Sequence, residues 1–128
     1  MRRFLFIIFV AFVFLCFGQE QMPPGMKQYT LVLLRRAPNL QKLDAADAAE
    51  LQKQHLANIR KMFDAGKLLV AGPVGDDGEL RGIFIFQNCT EAVIREMVKP
   101  DPLISRGRML MELHPWYASE NLKVDPHR

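Results

Sequence analysis

The chain has 128 residues, 49% of them hydrophobic, and a formal net charge of +3 at pH 7. This length allows one domain with one core and excludes a two-domain enzyme. No run of Lys and Arg of the nucleic-acid-binding type is present, so we expect no nucleic-acid partner.

The N-terminus has the pattern of an export signal. Two arginines after Met1 precede an unbroken apolar run from Phe4 to Phe17, shorter than the roughly 18–20 residues of a transmembrane helix. Cys16 and Gly18 are the small residues expected before a cleavage site. We therefore predict a signal peptide over 1–18 and an exported protein, either periplasmic or secreted. An uncleaved membrane anchor is the alternative.

Removal of this segment changes the composition of the remaining chain. Two basic residues and no acidic ones leave with it, so fifteen basic and fourteen acidic residues remain and the net charge falls to +1. Cys89 becomes the only cysteine, which excludes an internal disulfide, and its position after an apolar strand favours a buried, inert thiol. After cleavage we expect no stable membrane association.

The rest of the chain predicts alternating strands and helices. A Pro-Pro-Gly linker over 19–25 leads into a domain over 26–117, and a loose polar tail occupies 118–128. The predicted strands span 26–35, 67–74, 79–87 and 108–113, and the predicted helices span 44–65 and 91–98. Gly66 follows the first helix at the usual C-terminal position, and a Gly-Asp-Asp-Gly turn joins the middle strands.

The resulting order, β-α-β-β-α-β, is that of an α+β protomer with a ferredoxin-like, split βαβ topology. Both helices then cover one face of an antiparallel sheet, and no element covers the other face. Because the first strand is apolar on both faces, we expect a second copy of the chain to pack there as a homodimer.

His55 stands out in the first helix. It is the polar member of a core-facing stripe that also contains Ala48, Leu51, Ile59 and Met62. A half-buried imidazole can act as a general base near neutral pH. A core histidine bonded to the backbone is the structural alternative. The sequence contains no motif typical of a metal or cofactor site, and we predict neither.

A histidine base needs a carboxylate that orients its ring. Asp64 lies nine residues beyond His55, half a revolution around the same helix, and cannot reach it. Asp101 follows the second helix in an Asp-Pro bend, and both helices should pack on the same sheet face. We therefore predict Asp101 as the partner, with an ordinary Asp-Pro turn as the alternative.

Four further residues are predicted to line a pocket beside this pair: Tyr29, Gly72, Pro73 and His114. Gly72 would allow close approach of a ligand, and Pro73 is typical of a strand edge or bulge. A plain β-bulge is the alternative for these two residues. His114 begins a His-Pro-Trp-Tyr cluster that would lie at a pocket mouth or a dimer contact.

The chain over 26–117 resembles the YciI-like (YCII-related) family. The shared features are His-Leu-Ala at 55–57, Asp-Ala-Gly-Lys-Leu-Leu at 64–69, Ala-Gly-Pro at 71–73 and Asp-Pro at 101–102. The resemblance implies a dimeric α/β barrel of ferredoxin-like protomers and a His–Asp site formed by His55 and Asp101. It also implies relatives such as a dehydrochlorinase that acts on a chlorinated aromatic, although family members are usually cytoplasmic.

Two functions fit these features. The first is a cofactor-independent lyase, isomerase or hydrolase that acts on a small molecule through His55 and Asp101. The second is a non-catalytic, small-ligand-binding or stress-related dimeric module in which His55 only orients the ligand.

Overall fold

A computed structural model describes residues 22–124. The predicted signal peptide lies outside the described residues. Within them the chain forms β1 (Met26–Arg36), α1 (Ala45–Asp64), β2 (Leu68–Pro73), β3 (Leu80–Phe86), α2 (Glu91–Val98), α3 (Pro102–Ser105) and β4 (Met109–Ser119). None of the helices between residues 22 and 124 has both the length and the hydrophobicity needed to cross a bilayer.

The four strands form one antiparallel sheet in the order β2-β3-β1-β4. The hairpin of β2 and β3 therefore lies on one side of β1, and β4 lies on the other. This arrangement confirms the α+β class and the ferredoxin-like topology.

The last strand is longer than its apolar pattern predicts. It was expected to end at residue 113, but β4 continues to Ser119, which pairs with Met26 at the start of β1. Residues 118 and 119 thus belong to the sheet and not to a loose tail. The strand tolerates Pro115 because β4 is an edge strand, where a missing amide hydrogen need not break the ladder.

A short helix, α3, occupies a segment that was expected to be a plain connection. Asp101 caps it, since the side chain accepts a hydrogen bond from the amide of Leu103 at 2.9 Å. Pro102 stands at the first helical position, where its fixed φ angle suits a helix. The Asp-Pro pair therefore starts a helical turn.

The core lies between the helices and one face of the sheet. Its fully buried members come from every layer: Val32, Leu34, Met62, Leu68, Phe84, Phe86, Ile94 and Val98. Helix α1 turns Leu51, His55, Asn58 and Met62 inward. Ala48 of the predicted stripe is exposed, so the buried face of α1 begins one turn later than the pattern indicates.

The opposite face of the sheet carries half-buried apolar residues and one polar cluster. Leu31 and Leu33 lie opposite His114 and Glu112 in the pairing of β1 with β4. Glu112 accepts a hydrogen bond from Arg35 at 2.6 Å, and this bond, with His114 nearby, lowers the pKa of the Glu112 carboxyl below its ordinary value. Within residues 22–124, the helices pack on the other face.

Candidate active site

A cavity of about 310 Å³ lies between α1 and the sheet, near the β2–β3 hairpin. Its wall is mostly apolar, with Leu34, Phe84 and Met109 from the sheet and Ile59 from α1. The polar side chains of the wall belong to Gln52, His55 and Arg81. Leu56 and Phe63 also line it and are 53% and 37% exposed, so apolar side chains border the opening to solvent.

His55 lies inside this wall with only 9% of its surface exposed. Its imidazole ring stacks on the ring of Phe84, with centroids 6.2 Å apart and planes inclined by 24°. The ring is thus fixed between α1 and the central strand β3.

The carboxylate of Asp101 meets His55 from α3. Asp101 Oδ2 lies 2.5 Å from His55 Nδ1, and Asp101 is completely buried. The other carboxylate oxygen accepts the hydrogen bond from the Leu103 amide. Both oxygens therefore have partners, as a buried carboxylate requires. The predicted proximity of His55 and Asp101 is confirmed.

The second ring nitrogen of His55, Nε2, is not bonded by Asp101. Within residues 22–124, Nε2 has no hydrogen-bond partner, and no side-chain nitrogen or oxygen is buried without one. Nε2 is therefore accessible, and His55 lines the cavity. An Asp carboxylate at Nδ1 favours the tautomer with the hydrogen on Nδ1, which leaves a lone pair on Nε2. This lone pair on Nε2 can accept a proton from a molecule in the cavity.

The structure brings two of the four predicted pocket residues to the cavity. Gly72 and Pro73 line the cavity, whereas Tyr29 and His114 do not. Tyr29 is 2% exposed and donates its hydroxyl hydrogen to the Ser119 carbonyl, 2.9 Å away. His114 lies opposite Leu31, with its Nε2 3.6 Å from a Glu112 oxygen.

The placement of Tyr29 and His114 was wrong because side chains alternate along a strand. Tyr29 and Leu31 share a face, and the buried residues Val32 and Leu34, which meet α1, point the other way. The sequence predicts that side chains alternate along β1, but it does not indicate which face of the sheet α1 covers.

Sequence reasoning also missed residues that line the cavity. Gln52 lies one helical turn before His55, a spacing that could have indicated it. Arg81 and Gly82 lie where the pairing of β1 with β3 shifts register, and a period-two pattern cannot locate such a shift. Leu103 enters the wall from the unexpected helix α3.

Cys89 does not line this cavity. Cys89 is half-buried, and burial raises the pKa of its thiol while Lys67 opposes the rise, which agrees with an inert thiol. Across the described residues, no three His, Cys, Asp or Glu side chains are grouped as a metal site.

Fold and geometry together define a class of protein: a ferredoxin-like α+β domain with a buried His–Asp pair at an apolar cavity. No protein-family model and no curated protein sequence matches the chain. A solved structure of similar fold is 5-chloro-2-hydroxyhydroquinone dehydrochlorinase from Burkholderia phenoliruptrix AC1100, in complex with 2,5-dihydroxybenzoquinone. The two chains are 20% identical with a TM-score of 0.50, over 69% of this chain and 92% of the other. This likeness supports the fold.

We expect the buried pair to stabilise the protein. Asp101→Ala leaves His55 Nδ1 and the Leu103 amide without their acceptor, and should lower the free energy of unfolding by about 3–5 kcal/mol. Asp101→Asn keeps an oxygen for the amide and should cost less, about 1–3 kcal/mol. Urea unfolding monitored by circular dichroism measures both. Asp77→Ala, in the exposed β2–β3 turn, is the control and should change stability by less than about 0.5 kcal/mol.

A double-mutant cycle with His55→Ala separates the contact from the helix cap. The Asp101→Asn and His55→Ala losses should be non-additive by about 0.5–3 kcal/mol. Strictly additive losses would mean that the two side chains do not interact in solution.

Proposed function

We propose that the chain is a cofactor-independent enzyme that moves a proton on a small molecule, as a lyase, isomerase or hydrolase. One observation carries this proposal: a buried carboxylate lies 2.5 Å from Nδ1 of a histidine that lines an apolar cavity, and the Nε2 atom of this histidine has no hydrogen-bond partner within residues 22–124. This is the arrangement by which a carboxylate orients a general base.

In the proposed reaction, His55 Nε2 takes a proton from a carbon or oxygen of the substrate. The imidazolium that forms is stabilised by the Asp101 carboxylate, which itself stays ionised. In an elimination, the electron pair of the broken C–H bond forms a double bond while a leaving group such as chloride departs with its own pair. In an isomerisation, the imidazolium returns the proton to another atom, and in a hydrolysis the proton comes from an attacking water.

The cavity suits a substrate with a single ring. Its volume of about 310 Å³ is at the lower end of ligand pockets, which span roughly 300–1,000 Å³. Apolar walls keep water away from the ring and strengthen electrostatic interactions at His55.

The comparisons and the sequence motifs support the same direction. A protein of similar fold is a dehydrochlorinase whose ligand, 2,5-dihydroxybenzoquinone, has one ring. We propose, from the motifs at 55–57, 64–69, 71–73 and 101–102, that the chain is a member of the YciI-like family. A lyase activity on a cyclic or aromatic compound is the form of the proposal that these features favour.

A binding module is the second candidate. Apart from His55 and the permanently charged Arg81, no ionisable side chain lines the cavity in the described part of the chain. A reaction that needs a general acid as well as a general base would have to use His55 in both roles. In a binding module, the same cavity would hold a small molecule, and His55 would only orient it.

Replacement of His55 tests catalysis. Halogenated and unhalogenated hydroquinones, with 5-chloro-2-hydroxyhydroquinone among them, are incubated with the protein, and chloride release and ring products are followed. His55→Ala should lower the rate by about 10²–10⁴-fold, because the base is lost. His114→Ala is the matched control, since His114 lies on the other sheet face, and it should keep full activity.

Full activity in a folded His55→Ala protein would rule out the proposed base. If the wild-type protein turns over none of the compounds but binds one, and His55→Gln binds it equally well, the binding module is favoured.

We further propose that two copies pair through the sheet face that the helices leave free. Leu31 and Leu33 are half-buried there in the central strand β1, beside Ile83 of β3 and Trp116 of β4. Half-buried apolar side chains on a sheet face away from the helices are typical of a subunit interface.

Leu33→Lys tests the dimer by placing a charge on this face. Sedimentation velocity should give a dimer for the wild-type protein and a monomer for the variant, because burial of a charged lysine side chain in an interface is costly. Val93→Lys, at a 42% exposed position of α2, should leave the dimer intact. A monomeric wild-type protein, or a dimeric Leu33→Lys variant with native circular dichroism, would contradict the interface.

Finally, we propose that the protein is exported, in keeping with the apolar run that follows Arg2 and Arg3. Mass spectrometry of the protein expressed in a bacterial host should find a chain that begins at Gln19 in the periplasm or medium. Ile8→Arg, which interrupts the apolar run, should keep the full-length chain inside the cell. A full-length wild-type chain in the cytoplasm would contradict export, and one in the membrane fraction would favour the uncleaved anchor.

A further inference from the structure

Within residues 22–124, the side chains that line the cavity carry one permanent positive charge and no negative one. Among the described residues that line it, Arg81 supplies the charge, and none is an Asp or a Glu. An apolar cavity with a single guanidinium in its wall is electrostatically suited to an anion.

Arg81 is positioned by backbone carbonyls. Its Nη1 donates to the carbonyl of Asp76 at 2.7 Å and more weakly to that of Gly78 at 3.4 Å. Within residues 22–124, Nε and Nη2 have no hydrogen-bond partner. These two nitrogens form the edge of a guanidinium that holds a carboxylate with two parallel hydrogen bonds.

Three other arginines of the described residues bind carboxylates within the chain. Arg35, Arg60 and Arg95 each lie 2.6–3.0 Å from a carboxylate oxygen. Arg81 has Asp76, Asp77 and Glu79 within five positions along the chain, yet no carboxylate of the described residues lies within 4.0 Å of it. The Asp76 carboxylate accepts instead from the Gly78 amide at 2.8 Å.

The wall beside Arg81 is bare backbone. Gly82 is buried on the side of β3 that faces α1, and a Cβ atom there would lie 3.1 Å from the Gly72 carbonyl oxygen and 3.7 Å from Leu34 Cδ1. The Gly82 φ angle is in the range of ordinary residues, so the backbone conformation does not require glycine. The glycine therefore lets the β2 backbone approach closely, and Gly72 and Gly82 line the cavity with backbone alone.

We propose that Arg81 binds a carboxylate of the substrate, so that the cavity takes a small, mostly apolar ring with one carboxylate group. The identity of the ligand as a substrate rests on the proposed function, whereas the binding of the carboxylate does not. Arg81 holds the anionic end of the ring near the β2–β3 hairpin, and His55 lines the same cavity from α1.

Benzoate and benzamide test this binding, because they have nearly the same shape and differ in charge. Each is titrated into the purified ¹⁵N-labelled protein, and dissociation constants are taken from shifts of the Gly72 and Gly82 amide signals. The wild-type protein should prefer benzoate by about tenfold or more, which is the effect of one charge-assisted hydrogen bond. Arg81→Gln should remove the preference and leave benzamide binding unchanged. Arg81→Lys should keep part of it, since a lysine has charge but no planar fork.

Arg95→Gln, which removes an arginine from exposed α2, is the control and should bind both compounds like the wild-type protein. Equal affinities of the wild-type protein for benzoate and benzamide, no shift with either, or a benzoate preference that survives in Arg81→Gln would each overturn the proposal. A benzoate preference in a protein that turns over no compound would keep the carboxylate site and reject the enzyme. Turnover that depends on His55 but not on Arg81 would keep the enzyme and reject the carboxylate site.

Discussion

The contact between His55 and Asp101 is the interaction on which the site depends. A fully buried carboxylate is costly unless both oxygens have partners, and here the His55 ring and the Leu103 amide supply them. Because Asp101 also caps α3, the turn that carries the carboxylate and the ring that it orients stabilise each other. The geometry of the candidate base is therefore part of the packing of α1 against α3, and a disturbance of either helix reaches Nε2.

The order of elements and the His55–Asp101 pair followed from the sequence because each depends on local signals. Periodicity located the strands and helices, and an Asp-Pro bend after α2 can meet α1 only on the shared sheet face. Two other features were less predictable: which segments pair as strands, and which face of the sheet a side chain points to. Residues 114–119 lack an apolar pattern and become a strand only because β1 offers them free backbone groups. Tyr29 and His114 were assigned to the cavity, but the choice between faces depends on which side the helices pack.

The two faces of the sheet differ in whether their charged side chains have partners of opposite charge. On the helix side, the Asp101 carboxylate is buried against a single imidazole, and Arg81 borders the cavity without a carboxylate partner among the described residues. On the free side, Arg35 and Glu112 satisfy each other at 2.6 Å within a surface of half-buried leucines. Charges are thus paired where a second copy is proposed to pack, and one is left available where a ligand is proposed to bind.

The pairing of Met26 with Ser119 brings the two ends of the folded domain to the same end of the sheet. The cavity borders Leu34, eight residues further along β1, which is about 26 Å away at the rise of a strand. A segment attached at either end of the sheet therefore starts about 26 Å along β1 from the part of the cavity wall that Leu34 forms.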